Sequence, residues 1–111
     1  IDMIISGGAN IYPAEIENVL ITHPKVADCS VFGIPNDDWG EEVKAAVQLI
    51  STAEQSEELH EDILAFCGQR LAKMKLPKSI DYMPELPRDP NGKLYKRKLR
   101  DPYWKGRLRQ V

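Results

Sequence analysis

Lys93 closes the segment Leu86-Pro87-Arg88-Asp89-Pro90-Asn91-Gly92-Lys93. Prolines stiffen this stretch, and Gly92 permits a sharp reversal of the chain. The lysine is therefore presented at the tip or exit of a rigid turn. An ammonium fixed in that way can offset negative charge developing on a phosphate. The plainer alternative is a solvated turn lysine, and the segment on its own leaves both open.

A second glycine-containing loop, Ser6-Gly7-Gly8-Ala9-Asn10, lies near the start. Paired glycines let a backbone approach another surface closely and offer N–H groups to it. No Gly-Lys-Ser/Thr follows at Walker spacing, and the pattern is not GxGxxG. Alone it is a turn. Trp39 sits in the acidic stretch Asn36-Asp37-Asp38-Trp39-Gly40-Glu41. An indole is costly to leave in water, so it either caps a hairpin or offers a face for stacking, on an adenine or on a partner domain.

The other reactive side chains give less. Cys29 and Cys67 fall inside apolar-patterned segments at a spacing that fits no metal or redox motif, which reads as buried free thiols in a reducing compartment. His23 and His60 are far apart in sequence and no metal is expected on either. No nucleophile stands beside a base, and no carboxylate pair marks a cleft. These residues do not make a self-contained active site.

The elements that must position them follow from periodicity. Met3–Ser6, the glycine pair and Ile11-Tyr12 form a tight hairpin. Pro13 opens a helix, with Glu15 and Glu17 near its positive end. Ile16, Val19, Leu20 and His23 share its apolar stripe, and Pro24 ends it. Strands are expected over 26–33 and 42–50, the second with Val43, Ala45, Val47 and Leu49 alternating against Lys44 and Gln48. A polar connection over 34–41 separates them. Ser56 caps a helix whose apolar spacing runs through Leu59, Ile63, Phe66, Leu71 and Met74, with Gly68 inside it and Pro77 as its stop. Residues 79–83 form a third short strand, and Leu94–Arg100 is helical up to Pro102. The expected class is α+β: an N-terminal β-hairpin followed by a small three-stranded sheet covered by helices.

Length and composition agree with one soluble domain over residues 1–111. The chain has 111 residues, 42% hydrophobic and 29% charged, and no apolar run long enough to span a bilayer. No signal peptide is visible, and the missing initiator Met suggests a piece of something longer. Net charge is −2 but unevenly spread. From Lys93 onward, Lys93, Lys96, Arg97, Lys98, Arg100, Lys105, Arg107 and Arg109 face only Asp101, a tail that would attract phosphate-bearing partners. Nucleic-acid binding through so short a tail ranks last among the readings.

Taken together, the motifs resemble a known family. Ile4-Ile5-Ser6-Gly7-Gly8-Ala9-Asn10-Ile11-Tyr12-Pro13-Ala14-Glu15-Ile16-Glu17 is similar to the hairpin motif of acyl-CoA synthetases in the adenylate-forming superfamily. Gly33-Ile34-Pro35 with Trp39-Gly40-Glu41 is similar to its middle motif, and Leu86-Pro87-Arg88 through Gly92-Lys93 to its catalytic-lysine motif. The ending from Asp101-Pro102-Tyr103-Trp104 to Gly106-Arg107 resembles that of fatty-acyl members. Ala9 stands where the family often has Glu, and the Arg that usually precedes the family's hinge residue is missing, so no hinge residue is assigned around Ile1.

The resemblance implies the C-terminal lid domain of an AMP-forming acyl-CoA synthetase, acting on ATP, a carboxylic (fatty) acid and CoA, with the large N-terminal ATP- and acyl-binding domain as partner. It implies Lys93 as the adenylation lysine and Ser6, Gly7, Gly8 and Asn10 as the CoA-side hairpin, with Trp39 beside them. CoA and the acyl-adenylate would meet at the domain interface. Mg2+ is expected in the complete enzyme but not on this domain, and the setting is cytoplasmic. The alternatives are the lid of an adenylation domain that loads a carrier protein, and a free-standing binding module without catalysis.

Overall fold

The computed structural model describes residues 2–107. Ile1 and residues 108–111, including Arg109 of the basic tail, lie outside the described residues. The chain runs β1 (Ile4–Ser6), β2 (Ala9–Ile11), α1 (Pro13–Leu20), β3 (Val26–Asn36), β4 (Gly40–Leu49), α2 (Glu57–Gly68), β5 (Ser79–Tyr82) and α3 (Lys96–Trp104). The class is α+β, as expected. The hairpin and the three later strands join into one sheet, because Ser6 of β1 pairs with Gly40 at the start of β4. Further along, β4 takes β5 in parallel, with Lys44 opposite Ser79 and Val47 opposite Tyr82. Its other edge carries β3 in a long antiparallel register.

Both faces of this sheet are covered. Cys29 and Val31 of β3, with Val43, Ala45, Val47 and Leu49 of β4, point to one side. They pack on Ile16 and Leu20 of α1 and on Ile63 and Cys67 of α2. Phe32 and Ala46 point to the other side and pack on Leu86 and on Leu99 of α3. Each fully buried aliphatic side chain contributes roughly 1.5–3 kcal/mol. The period of two along β3 and β4 thus supplies two cores rather than one core and one wet face.

That second layer bears on the sequence reading of β4. Alternation puts Lys44 and Gln48 on the face opposite the apolar positions, and there the Lys44 side chain is only 7% exposed. Its ammonium lies 3.0 Å from Asp81 Oδ1 and donates to Ser79 Oγ at 2.8 Å. Burial without such partners would be prohibitive for a charge. Tyr103 of α3 donates to the same Asp81. Burial and that hydrogen bond raise the Tyr103 phenol above its ordinary value.

Three boundaries also differ. The connection expected over 34–41 is mostly strand: Ile34, Pro35 and Asn36 pair with Glu42, Glu41 and Gly40. Pro35 is tolerated there because β3 is an edge strand. Helix α2 stops at Gly68 instead of running toward Met74; the amides of Gln69 and Leu71 close its end on the carbonyls of Ala65 and Cys67. Leu71 still reaches the core, which is why its spacing mimicked a helix. Finally, α3 continues through Pro102 to Trp104. The last turn is held from outside, by Tyr103 on Asp81 and by Trp104 Nε1 donating to the Gly33 carbonyl at 2.8 Å. The Ser56 cap is as expected, its hydroxyl accepting from the Leu59 amide at 3.1 Å. His23 falls beyond α1 and is buried against Asp62.

Candidate functional site

The two glycine-containing loops of the sequence occupy opposite ends of the β3–β4 hairpin. At one end, Ser6 and Ala9 pair across a two-residue turn. Gly7 has φ +58° and Gly8 φ +82°, the conformations a tight hairpin of this kind demands. The Gly7 amide donates to the Trp39 carbonyl at 2.9 Å, which sews this turn to the β3–β4 turn. Asn36 organises the latter, its Oδ1 accepting from the amides of Asp38 at 2.9 Å and Trp39 at 2.8 Å.

Trp39 is consequently presented rather than buried, with 47% of its surface exposed. The Lys78 ammonium stands 4.8 Å from its ring centroid. Ser6, Gly7, Ala9, Trp39, Lys73, Met74 and Lys78 line a groove of about 450 Å³ between the two turns and the segment before β5. Of the expected residues, Ser6, Gly7 and Trp39 meet here. Gly8 and Asn10 are exposed on the same hairpin, outside the groove's lining. Lys73 and Lys78 carry no motif that marks them in the sequence, and Met74 reads there as the last position of a helix stripe. Helical spacing that runs on to Met74 masks the turn at Lys73, and Lys78 lies beyond Pro77.

At the other end stands Lys93. Its turn is built around Asp89, whose Oδ1 accepts from the amides of Asn91 at 2.8 Å and of Lys93 at 2.9 Å. The Asp89 amide donates to the Lys93 carbonyl at 2.8 Å, and Gly92, at φ +82°, donates to the Asp89 carbonyl at 2.9 Å. Arg88 pairs with Leu94 across the loop and donates to the Gly92 carbonyl at 3.1 Å. The loop is fastened to the body by the ion pair of Arg88 with Asp28 and by the Leu86 amide on Gln48 Oε1 at 3.1 Å. The backbone of Lys93 is therefore fixed while its side chain is exposed, and its ammonium has no partner among the described residues. Such a group is free to meet an anion brought by something else.

The separation of the two ends follows from register. Asp28 pairs with Gln48 at the loop end, and Asn36 pairs with Gly40 at the groove end. Eight residue-to-residue steps of strand separate them, or roughly 26 Å at about 3.3 Å per step. Lys93 and the glycine turn do not share a pocket. Among the described residues no cluster of three His, Cys, Asp or Glu could hold a metal ion, and no helix is long and apolar enough to cross a membrane.

Comparison with known proteins gives a consistent picture. Residues 15–93 match the family model described as AMP-binding enzyme C-terminal domain. The chain is 47% identical over 102 residues to long-chain-fatty-acid–CoA ligase FadD13 of Mycobacterium tuberculosis, covering 92% of this chain and 20% of that protein. It is 50% identical over 99 residues to a 2-succinylbenzoate–CoA ligase of Bacillus cereus, covering 89% of this chain and 20% of that protein. A solved Mycobacterium tuberculosis fatty acyl CoA synthetase superposes with a TM-score of 0.82 at 45% identity, over 96% of this chain and 20% of that one. The chain spans about a fifth of the length of the curated relatives it matches.

Proposed function

The chain belongs to the family of AMP-binding enzyme C-terminal domains, and on that premise we propose that it is the mobile lid of an AMP-forming acid–CoA ligase. The partner is a large N-terminal domain that holds ATP and the acid; the fifth of its relatives' length that this chain spans supports such a division. The whole chain, residues 1–111, is the lid, working in the cytoplasm and inactive alone.

The proposed reaction has two steps. A carboxylate oxygen attacks the α-phosphorus of ATP, the bond to the β-phosphate oxygen breaks, and pyrophosphate leaves. The sulfur of CoA then attacks the carbonyl carbon of the acyl-adenylate, its proton is lost to solvent or base, and AMP leaves with the bonding pair. Lys93 serves the first step. Negative charge moves onto the departing pyrophosphate, and a water-poor site makes an ammonium there worth far more than in bulk water. The fixed backbone and unpaired side chain of Lys93 suit that role.

The glycine turn serves the second step. Gly7 and Gly8 present a backbone with no side chain, so a thin pantetheine arm can run along it, with Ser6 and Asn10 on the flanks. Trp39, Lys73 and Lys78 offer an aromatic face and two cations, which suit the nucleotide end of CoA. Mg2+ belongs in this reading with the ATP phosphates on the large domain; among the described residues of this chain no group of three His, Cys, Asp or Glu could hold a metal ion.

One observation carries this reading: the two groups sit at opposite ends of the β3–β4 hairpin, so a single site can use them only in turn, by rotation of the domain. For the acid, we take a fatty acid, supported by likeness to the FadD13 ligase; the comparable likeness to a 2-succinylbenzoate ligase makes an aromatic acid the second reading. A panel of acids assayed on the complete enzyme tests this, and a preference for aryl acids over alkyl chains would reject the fatty-acid choice.

A further inference from the structure

We propose that Lys96 is a positioning residue for Lys93, clamping the exit of the lysine loop to the segment that leads into the glycine hairpin. The proposal rests on the adenylation reading of Lys93 and adds a residue to it.

Lys96 opens α3, three residues after Lys93. Its ammonium lies 2.6 Å from Asp2 Oδ2 and 3.0 Å from Glu17 Oε2. Asp2 leads into β1, and Glu17 belongs to α1, so one side chain ties together three elements that are distant in sequence. Glu17 is itself fixed: its Oε2 also accepts the Val31 amide at 2.8 Å, on the free edge of β3. The clamp therefore refers the loop to the sheet and not merely to a surface side chain. With Lys96 20% exposed and Glu17 25% exposed, the contact is more shielded than an ordinary surface pair.

The helix needs these acids. α3 has no side-chain cap at Tyr95 and no acidic residue in its first turn, while Lys96, Arg97 and Lys98 crowd its positive end. Asp2 and Glu17 supply the missing negative charge from outside. Remove the Lys96 ammonium and two carboxylates are left converging on one spot, repelling each other across the gap. The Tyr95 amide on the Pro87 carbonyl, the Arg88–Asp28 pair and buried Leu99 would still hold the base of the loop. The internal bonds of the 89–93 turn would survive, and the freedom gained is confined to its exit, where Lys93 leaves the turn and α3 begins.

The test uses the complete enzyme carrying Lys96→Ala, Lys96→Arg or Lys93→Ala. Pyrophosphate exchange and thioester formation from supplied acyl-adenylate and CoA are assayed separately, with thermal unfolding and amide hydrogen exchange over 92–98. Misplacement by about 1 Å can reduce rate about a hundredfold, so Lys96→Ala is expected to lower kcat of exchange between about tenfold and a hundredfold. KM for ATP should hold within about twofold, since the large domain holds ATP and a transition-state contact is lost through kcat, and the thioester step should hold as well, since the groove end is untouched. Lys96→Arg should recover most of the rate, and exchange at the first turn of α3 should quicken only in the alanine variant. The proposal is overturned if Lys93→Ala abolishes exchange while Lys96→Ala keeps the parental rate. It is equally overturned if both half-reactions fall together in step with a lowered unfolding temperature. If Lys93→Ala keeps full exchange activity, the adenylation reading itself fails. Unchanged amide exchange in Lys96→Ala would reject the clamp independently of any rate.

Discussion

The carboxylate of Glu41 occupies the place where a β-carbon on Gly33 would stand. An added methyl there would sit 2.0 Å from Glu41 Oε1 and 3.0 Å from its Cδ. The same carboxylate accepts the Ile5 amide through Oε2 at 3.3 Å, so it holds the β1–β2 hairpin across the start of the sheet. Glu41 is 2% exposed and cannot swing into water to make room. Gly33 also lends its carbonyl to Trp104 on the other side. The missing β-carbon thus lets Glu41 hold the hairpin against β3, while the backbone carbonyl of the same residue anchors α3.

Gly33→Ala is expected to destabilise the domain by about 2–3 kcal/mol, the cost of overpacking a site that cannot relax. Urea unfolding of the variant and the parent measures it. A midpoint unchanged from the parent would mean that Glu41 is free to move.

The glycine turn behaves differently. A β-carbon on Gly7 or Gly8 would meet nothing within 4 Å, so only the left-handed backbone conformation resists substitution. Alanine at either position is expected to cost about 1–2 kcal/mol, and asparagine less. Equilibrium unfolding of Gly8→Ala beside Gly8→Asn checks the ranking; equal losses would point to a steric cause instead.

Cys29 gives a pH signature. Burial, with Glu17 and Asp28 adding repulsion, pushes its thiol up to about 12 from 9.0. Burial raises Cys67 as well. A raised folded value means that the unfolded chain loses its protons first as pH rises. The stabilisation is complete below about pH 9 and is lost between there and about pH 12. At pH 8 the thiolate fraction of Cys29 is roughly a thousandfold below that of a free thiol, so a disulfide reagent should label it only after unfolding. Rapid labelling of the native protein would contradict this burial.

Pro102 is expected to weaken α3, since it cannot donate to the Lys98 carbonyl one turn earlier. Pro102→Ala should therefore raise stability, by up to about 3 kcal/mol, with Tyr103 and Trp104 keeping their anchors. Thermal unfolding reads the change. A loss of stability would show that the proline shapes the turn that Tyr103 needs.

Much of this was legible in the residues. Gly7-Gly8 and Asn91-Gly92 announce their turns because few residues accept positive φ, and Ser56 announces a helix start because its hydroxyl satisfies an orphan amide. Local chemistry of this kind does not depend on the rest of the fold. What depended on tertiary contact was misread. Lys44 and Gln48 look like a wet face until α3 and the lysine loop cover it. Leu71 keeps helical spacing after α2 has ended, because it turns back into the core by another route. The helix passes Pro102 because Tyr103 and Trp104 hold its last turn from outside, on Asp81 and on the Gly33 carbonyl. The groove was half legible: Trp39 stood out as an indole among acids, but Lys73 and Lys78 arrive from a segment whose path periodicity could not give.

The most direct measurement is a crossed half-reaction assay on the complete enzyme, comparing Lys93→Ala with Gly7→Val. Opposite losses are expected. Lys93→Ala should abolish most pyrophosphate exchange, a fall of about 10²–10³ for removal of one group that meets developing charge, while thioester formation from supplied acyl-adenylate survives. Gly7→Val should keep exchange and slow the thioester step. If both variants depress the same half-reaction, or if Lys93→Ala leaves exchange intact, the two ends of the β3–β4 hairpin do not serve separate steps, and the rotating-lid account is wrong.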